Sequence, residues 1–251
     1  MIPEAVVLAA GTGQRLAGSH PDVPKGLLEV AGVSLMARSV ARLRRNGVER
    51  ITIVTGHQAQ AYDQFAARYG GLVRCVHNAR FTEGALLSML VGMKAVDGPF
   101  LLLDSDIIFE DRAVAAIQAS GLDSAIVVAN LSDSGDEVYT WAHSSLGSGH
   151  GRLTGLSKDV TRHPGTPLGE FVGILAISGK LKAAMMAQAE VMLASQPHIS
   201  YEPCLEALLD RAEVGCVVID DLVWAEIDDQ KMLERVLRDV GPRVDAVDGA
   251  I

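Results

Sequence analysis

A single-domain, doubly wound α/β fold built on a mixed sheet is what this chain predicts, and three observations carry the expectation. Short apolar runs alternate with stretches of helical periodicity through the first half, the pattern of βαβ crossovers. The helical stretches there end on glycine-containing stops, Asn46-Gly47 and Gly70-Gly71. No repeat, low-complexity tract or interdomain linker divides the 251 residues, a length that buries a sizeable core.

Taken in order, Ala5 to Leu8 reads as a buried strand and Leu35 to Arg45 as a helix. Ile51 to Val54 is the next strand, Ala59 to Tyr69 a helix, and Val73 to Val76 a third strand. Leu86 to Val96 is helical and Phe100 to Leu103 is a fourth strand. The pattern loosens after Asp111. Ala125 to Ala129 predicts a strand, and Ser132 to Gly151, rich in Gly, Ser and Asp, predicts a loop. Leu153 to Leu156 and Phe171 to Ile177 predict strands around a Pro/Gly segment, His163 to Gly169. Leu181 to Ala194 and Cys204 to Arg211 predict helices, Val214 to Ile219 a strand, and Lys231 to Val240 a closing helix.

Composition narrows the function classes. The apolar fraction of 49% and charged fraction of 21% exclude wholesale disorder. A net charge of −9 with no visible basic face excludes nucleic acid as a main partner. No apolar stretch reaches the ~18 residues of a membrane span, and Met1 to Leu8 lacks the basic start of a signal peptide, so a cytoplasmic location is expected. Cys75, Cys204 and Cys216 are odd in number and widely spaced, and read as buried free thiols.

The sharpest motif is Leu8-Ala9-Ala10-Gly11-Thr12-Gly13-Gln14-Arg15, directly after the first strand. Small residues there let backbone N–H groups converge on an anion such as a triphosphate. Neither the third glycine of a dinucleotide loop nor the Gly-Lys-Ser/Thr of a Walker loop is present. Arg15, and Lys25 after Pro24, add a fork and a compact charge for phosphate oxygens. A plain glycine turn with solvated charges is the competing reading. The combination resembles the sugar-phosphate nucleotidyltransferases and their cytidylyltransferase relatives, whose signature matches at Ala9 to Arg15 and at Pro24-Lys25. The resemblance implies a Rossmann-like fold of the nucleotide-diphospho-sugar transferase type. It also implies nucleotide binding by Leu8, Ala9, Ala10, Gly11, Thr12 and Gly13, triphosphate binding by Arg15 and transition-state stabilisation by Lys25. The single domain, 1–251, then divides into a nucleotide-binding half, about 1–110, and an acceptor-binding half, about 111–251.

Asp104 and Asp106 end the fourth strand, where open α/β sheets bind ligands, and two residues apart in extended chain they share a face. Such acids also serve as turn or cap residues. A second acidic cluster runs from Glu226 through Asp228 to Asp229. The resemblance assigns Asp106 and Asp228 to magnesium and Asp104 to the nucleotide side, with Glu226 a further or water-linked ligand. Asp229 precedes a helical run and reads equally as its cap.

Other positions follow the resemblance more loosely. Gly56-His57 resembles the family's Gly-Tyr element beside the nucleotide, with His for Tyr. Asn78 to Ser88 occupies the base-reading segment, but Phe81-Thr-Glu-Gly-Ala-Leu-Leu-Ser88 replaces the sugar-nucleotide Gln-Pro-x-Gly-Leu-Ala pattern. That departure resembles the branch acting on phosphocholine, 2-aminoethylphosphonate or inositol phosphate and points to CTP, with Asn78 and Ser88 as contacts. Lys158 resembles the lysine that holds the acceptor phosphate, Glu170 and Gly173 lie on the acceptor-side strand, and Tyr201-Glu202 resembles a Tyr-Glu-Asp stretch with Pro203 for the Asp. An acceptor ammonium would suit Glu170, Glu202 and an aromatic such as Tyr201 or Trp141, although core packing also explains the aromatics.

The reaction so implied is in-line attack of an acceptor phosphate or phosphonate oxygen on the α-phosphorus of CTP, with magnesium, Arg15, Lys25 and Lys158 neutralising charge. CTP and a small anionic acceptor are the expected partners, and a homodimer is admitted. A sugar-1-phosphate nucleotidyltransferase using UTP, dTTP or GTP, and a non-catalytic nucleotide-binding regulatory module, remain as alternatives.

Overall fold

The computed structural model describes residues 1–13, 15–16, 23–143 and 150–249. The chain opens with β1 (Glu4–Ala9), a small hairpin of β2 (Glu29–Val30) and β3 (Val33–Ser34), and α1 (Leu35–Arg45). Then come β4 (Arg50–Thr55), α2 (Ala59–Ala66), β5 (Val73–His77), α3 (Ala85–Lys94), β6 (Phe100–Asp104) and β7 (Ile107–Phe109). The second half runs through α4 (Arg112–Ala119), β8 (Ala125–Ala129), β9 (Tyr139–His143), β10 (Gly151–Ser157), β11 (Gly169–Ile177), α5 (Gly179–Ser195) and α6 (Glu202–Glu206). It closes with β12 (Gly215–Ile219), β13 (Trp224–Glu226), α7 (Gln230–Arg235), a π-helical turn (Val236–Val240) and α8 (Gly241–Asp248).

Nine strands form one sheet in the order β5-β4-β1-β6-β11-β8-β12-β10-β9. The first-half strands are parallel, with β1 between β4 and β6. The seam to the second half is antiparallel, β11 against β6 on one side and against β8 on the other. The sheet is thus mixed, as expected. Its strands are apolar runs rather than alternations because both faces are covered. Along β1, Val7 joins Met36, Val40 and Phe65 on one face, while Val6 and Leu8 join Leu86, Met89 and Leu102 on the other.

A third apolar cluster lies beside the sheet, where β7 pairs antiparallel with β13 and Ile108, Ala225 and Ile227 pack with Leu233, Val236 and Val244. It is fastened to α1 by two guanidiniums. Arg38 pairs with Asp245 and donates to the Val30 carbonyl at 2.7 Å, and Arg42 donates to Asp248 at 2.8 and 3.1 Å. Arg42 also lies 5.5 Å from the Phe109 ring centroid.

Three expectations need correction. The loop read over 132–151 contains β9, which pairs with β10; residues 144–149 of that reading lie outside the described residues. The Cys204 to Arg211 helix is shorter and earlier, α6 starting at Glu202 with Pro203 in its first turn, a place where the missing N–H costs nothing. The closing helix does not stop at Val240: Pro242 falls in the first turn of α8, and the bare Gly241 packs where a Cβ would lie 2.5 Å from Val30 Cγ1. The helix α4 and the short pair β7–β13 were not anticipated. Asp229 does cap α7, accepting from Met232 N at 2.8 Å.

Candidate active site

A cleft of about 460 Å³ opens at the carboxyl ends of β1 and β6. Its floor is the Leu8 to Gly13 segment, all six residues of which line it. Gly13 has φ of +60°, and a Cβ there would meet Lys25 Cγ at 3.2 Å, so the bare glycine lets the lysine stem cross the loop. Lys25 itself starts a 3-10 turn whose next residue, Gly26, presses on Tyr62 Oη and the Ser105 carbonyl, at 2.9 and 3.2 Å from where a Cβ would sit. The turn therefore fixes where the ammonium can reach.

That ammonium reaches two acids. Lys25 Nζ donates to Asp106 Oδ2 at 3.2 Å and to Asp228 Oδ1. Arg15, 60% exposed, donates to Asp228 Oδ2 at 3.0 Å. The pairing of β7 with β13 brings these acids together, because Glu226 sits opposite Ile107 and Ile227 N donates to the Asp106 carbonyl at 2.9 Å. Oxygens of Asp106, Glu226 and Asp228 lie within 4.8 Å of one another. Burial, then Asp106, Asp228 and Asp104, push the Glu226 carboxyl up to about 9. Burial raises Asp228 as well, but Lys25 and Arg15 outweigh it and hold the group below its ordinary value. Burial opposes the Lys25 charge, and Asp106 and Asp228 overcome that and raise its pKa. Asp106 and Asp228 hold the ammonium, with Glu226 beside them, and such a set of oxygen donors matches what a hard divalent cation takes, Lys25 standing in its place. Asp106, Glu226 and Asp228 therefore fit such an ion.

Asp104 also lines the cleft, with one of its oxygens held from within the protein. Burial, then Asp106 and Glu202, hold its carboxyl well above the usual range, while Tyr201 Oη donates to its Oδ2 at 2.7 Å. Gly173, with φ of +82°, makes the space: a Cβ there would lie 2.7 Å from the same oxygen. Glu202 lines the cleft, and its buried Oε2 has no hydrogen-bond partner among the described residues. Lys158 is 55% exposed and stands at the rim, donating to Asp136 Oδ1 at 2.7 Å. The other oxygen of Asp136 lies 3.9 Å from Arg15, which ties the two cations together.

Several expected residues stand behind the cleft rather than in it. Ser88 lines it, while Asn78 is buried behind, donating to Ser88 Oγ at 3.0 Å. Gly56 lets Phe81 pack onto the loop, since a Cβ would lie 2.4 Å from Phe81 Cβ, and His57 N donates to the Ala10 carbonyl at 3.2 Å. Neither is a lining residue. Glu170 is turned toward the loop after β8, where it accepts from Ser132 N at 2.7 Å and Ser132 Oγ at 3.2 Å, so its expected place beside an acceptor is not what the structure gives. Trp141 is buried, its Nε1 donating to the Gly165 carbonyl at 3.3 Å, and serves the core.

Phe81 and Thr82 line the cleft from the segment read as base-reading, but sequence reasoning missed Tyr62 and His198 in the lining and Asp136 at the rim. No motif marks them. Asp136 lies in a stretch read only as loop, where an acid among serines and glycines is the commonest surface feature.

A family model described as MobA-like NTP transferase domain matches residues 5–165. The "Bifunctional IPC transferase and DIPP synthase" of Thermococcus kodakarensis is 27% identical over 241 residues, covering 95% of this chain and 51% of its own length. The "CMP-5'-(3-aminopropyl)phosphonate synthase" of Streptomyces rubellomurinus is 34% identical over 125 residues, 47% of this chain and 20% of its own. The chain thus spans about half or less of the length of these curated relatives. Among solved structures, the inositol-1-phosphate CTP transferase from T. maritima superposes with a TM-score of 0.80 at 21% identity, covering 100% of this chain and 98% of that one. That likeness shows the fold.

Proposed function

The chain belongs to the MobA-like NTP transferase family and is a nucleotidyltransferase; on that premise we propose that it transfers CMP from CTP to a small phosphorylated or phosphonylated acceptor, releasing pyrophosphate. The observation that carries the reading is the placement of Lys25 and Arg15 at the mouth of a glycine loop, facing Asp106, Glu226 and Asp228. The relative named as a CMP-5'-(3-aminopropyl)phosphonate synthase supports the choice of base and of a phosphonate-type acceptor.

In this reading the Leu8 to Gly13 backbone holds the phosphates, Arg15 clamps the outgoing pyrophosphate and Lys25 meets the charge that develops at its leaving oxygen. Asp106, Glu226 and Asp228 would hold magnesium, which when bound neutralises phosphate charge as a Lewis acid. Lys158, freed from Asp136, receives the acceptor's phosphate or phosphonate. No protein nucleophile is required, because an ionised acceptor oxygen attacks directly, and rate comes from alignment and charge neutralisation. The Glu202 oxygen, without a partner among the described residues, favours an acceptor with an ammonium at its far end, phosphocholine or 2-aminoethylphosphonate, since a buried carboxylate oxygen without a donor is costly until a cation or donor arrives.

The test is pyrophosphate release with CTP, UTP, dTTP or GTP, each crossed with phosphocholine, 2-aminoethylphosphonate, inositol phosphate and glucose-1-phosphate. CTP with an ammonium acceptor is expected to lead. Glu202→Gln should then raise the Michaelis constant for that acceptor by roughly tenfold, a loss of ~1.4 kcal/mol, and leave CTP affinity unchanged. Turnover only with sugar-1-phosphates, or with no nucleotide at all, sinks the proposal.

A further inference from the structure

We infer that His198 selects the base: its ring presents a lone pair that accepts the exocyclic amino group of cytosine and repels the carbonyl oxygen uracil carries at that position. The inference rests on the cytidylyl reading above and names the residue that enforces it.

His198 lies between α5 and α6, far in sequence from the phosphate loop, yet it lines the same cleft. Its backbone is fastened to the segment before α3. His198 N donates to the Glu83 carbonyl at 3.1 Å, and Leu86 N donates to the Ile199 carbonyl at 3.1 Å. The crossing requires Gly84, at φ of +99°, where a Cβ would lie 2.6 Å from the Ile199 carbonyl and 2.9 Å from His198 Cα. His198 itself takes a left-handed φ of 69°. Two segments of unusual backbone thus meet to hold one exposed imidazole at a cleft wall, and a histidine there serves no apolar core.

The wall suits a base. Phe81, Thr82, Gly84, Ala85 and Ser88, from the segment to which His198 is fastened, line the cleft without a charged side chain, whereas its lining charges Lys25, Asp104, Asp106, Glu202 and Glu226 come from other segments. A triphosphate belongs with the cations, which leaves the neutral wall for the uncharged aromatic ring. The one acid close to His198 in this segment, Glu83, is already taken by Arg80 at 2.7 Å.

The hydrogen bonding decides what the ring offers. His198 Nδ1 lies 2.8 Å from the Thr82 carbonyl oxygen. A carbonyl only accepts, so Nδ1 carries a proton, and in the tautomer this contact selects Nε2 is the bare acceptor. Cytosine presents an amino donor where uracil presents an acceptor. An acceptor on the protein therefore rewards one base and leaves two lone pairs opposed with the other, and a mismatch of this kind discriminates more strongly than a change of size.

Calorimetric titration with CTP and with UTP, both with magnesium and without any acceptor, tests the assignment. His198→Asn tolerates the left-handed backbone and can still donate to Thr82 from its amide, but places nothing where Nε2 stood. His198→Gln returns an amide oxygen to about that place. The wild type is expected to bind CTP at least tenfold more tightly than UTP. His198→Asn should lose most of that ratio through weaker CTP binding, and His198→Gln should keep it within about threefold. An unchanged ratio in His198→Asn, or equal weakening of both nucleotides in both variants, overturns the assignment and leaves His198 a fastening of the loop. A wild type that binds UTP as well as CTP overturns it too, and one that binds neither removes the cytidylyl reading itself.

Discussion

Two clusters of opposite charge join distant parts of this chain, and they are built on different arithmetic. Between α1 and α8, each guanidinium has its own carboxylate: Arg38 with Asp245, and Arg42 with Asp248, the latter pair 1% and 4% exposed. In the cleft, Lys25 and Arg15 face Asp106, Glu226 and Asp228, with Asp104 and Glu202 close behind. The first cluster is balanced and closed. The second has more acid than base and opens to solvent, so part of its acid is held protonated, as the raised Glu226 carboxyl records. A balanced buried pair fastens elements, whereas an unbalanced one is a place for a cation that arrives from outside.

The contrast is most sharply tested in the cleft. Asp106→Asn and Asp228→Asn should each lower turnover by on the order of a hundredfold or more while the melting temperature holds, because in the proposed chemistry each removes a cation ligand without removing packing. Lys25→Ala should likewise cost turnover far more than CTP affinity. Pyrophosphate release and CTP titration on the same preparations read both quantities, and a normal rate at low magnesium for either Asn variant removes that acid from the site.

The mirror experiment uses the clasp. Asp248→Asn strands the Arg42 charge and weakens the acceptor for Asp111 N, and should cost about 3–5 kcal/mol in urea unfolding. Activity per folded molecule should be unchanged. Loss of activity without loss of stability would show that the two clusters are not separate in role.

A smaller effect concerns Glu170, the buried acid that belongs to neither cluster. Burial raises its pKa to about 7, against hydrogen bonds from Ser132 that pull the other way. The native state then holds a proton that the unfolded chain releases near pH 4.5, so this group's contribution falls as pH rises from about 4.5 to about 7 and is lost above that. Glu170→Gln should flatten stability across that window, by about 1–3 kcal/mol between its ends. An unchanged pH profile would place the ionisation elsewhere.

What the sequence disclosed was what is local. The strand into Leu8 and the glycine spacing after it lie within a dozen neighbours, and Asp104, with Asp106 two residues on, is legible because an acid after four buried apolar residues marks a strand end. Asp136, Tyr62 and His198 matter only through partners brought in by the fold, and no spacing announces them. The strands β7 and β13 hold three residues each, too few to show a period, yet their pairing brings together the acids proposed to hold the cation. Glu170 misled for the same reason: its strand was recognisable, but the turn at Ser132 that takes both its oxygens was not.

The pairing of Ile107 with Glu226 also has a consequence for how the protein is born. Contacts between residues so far apart in sequence form only after the intervening loop has been closed, and they are slow to appear in folding. A chain emerging from the ribosome can already display the glycine loop on β1 and β6 while Asp106 still lacks Glu226 and Asp228. The glycine loop is thus made well before Glu226 and Asp228, and the acid cluster is complete only once β13 has been synthesised and paired with β7.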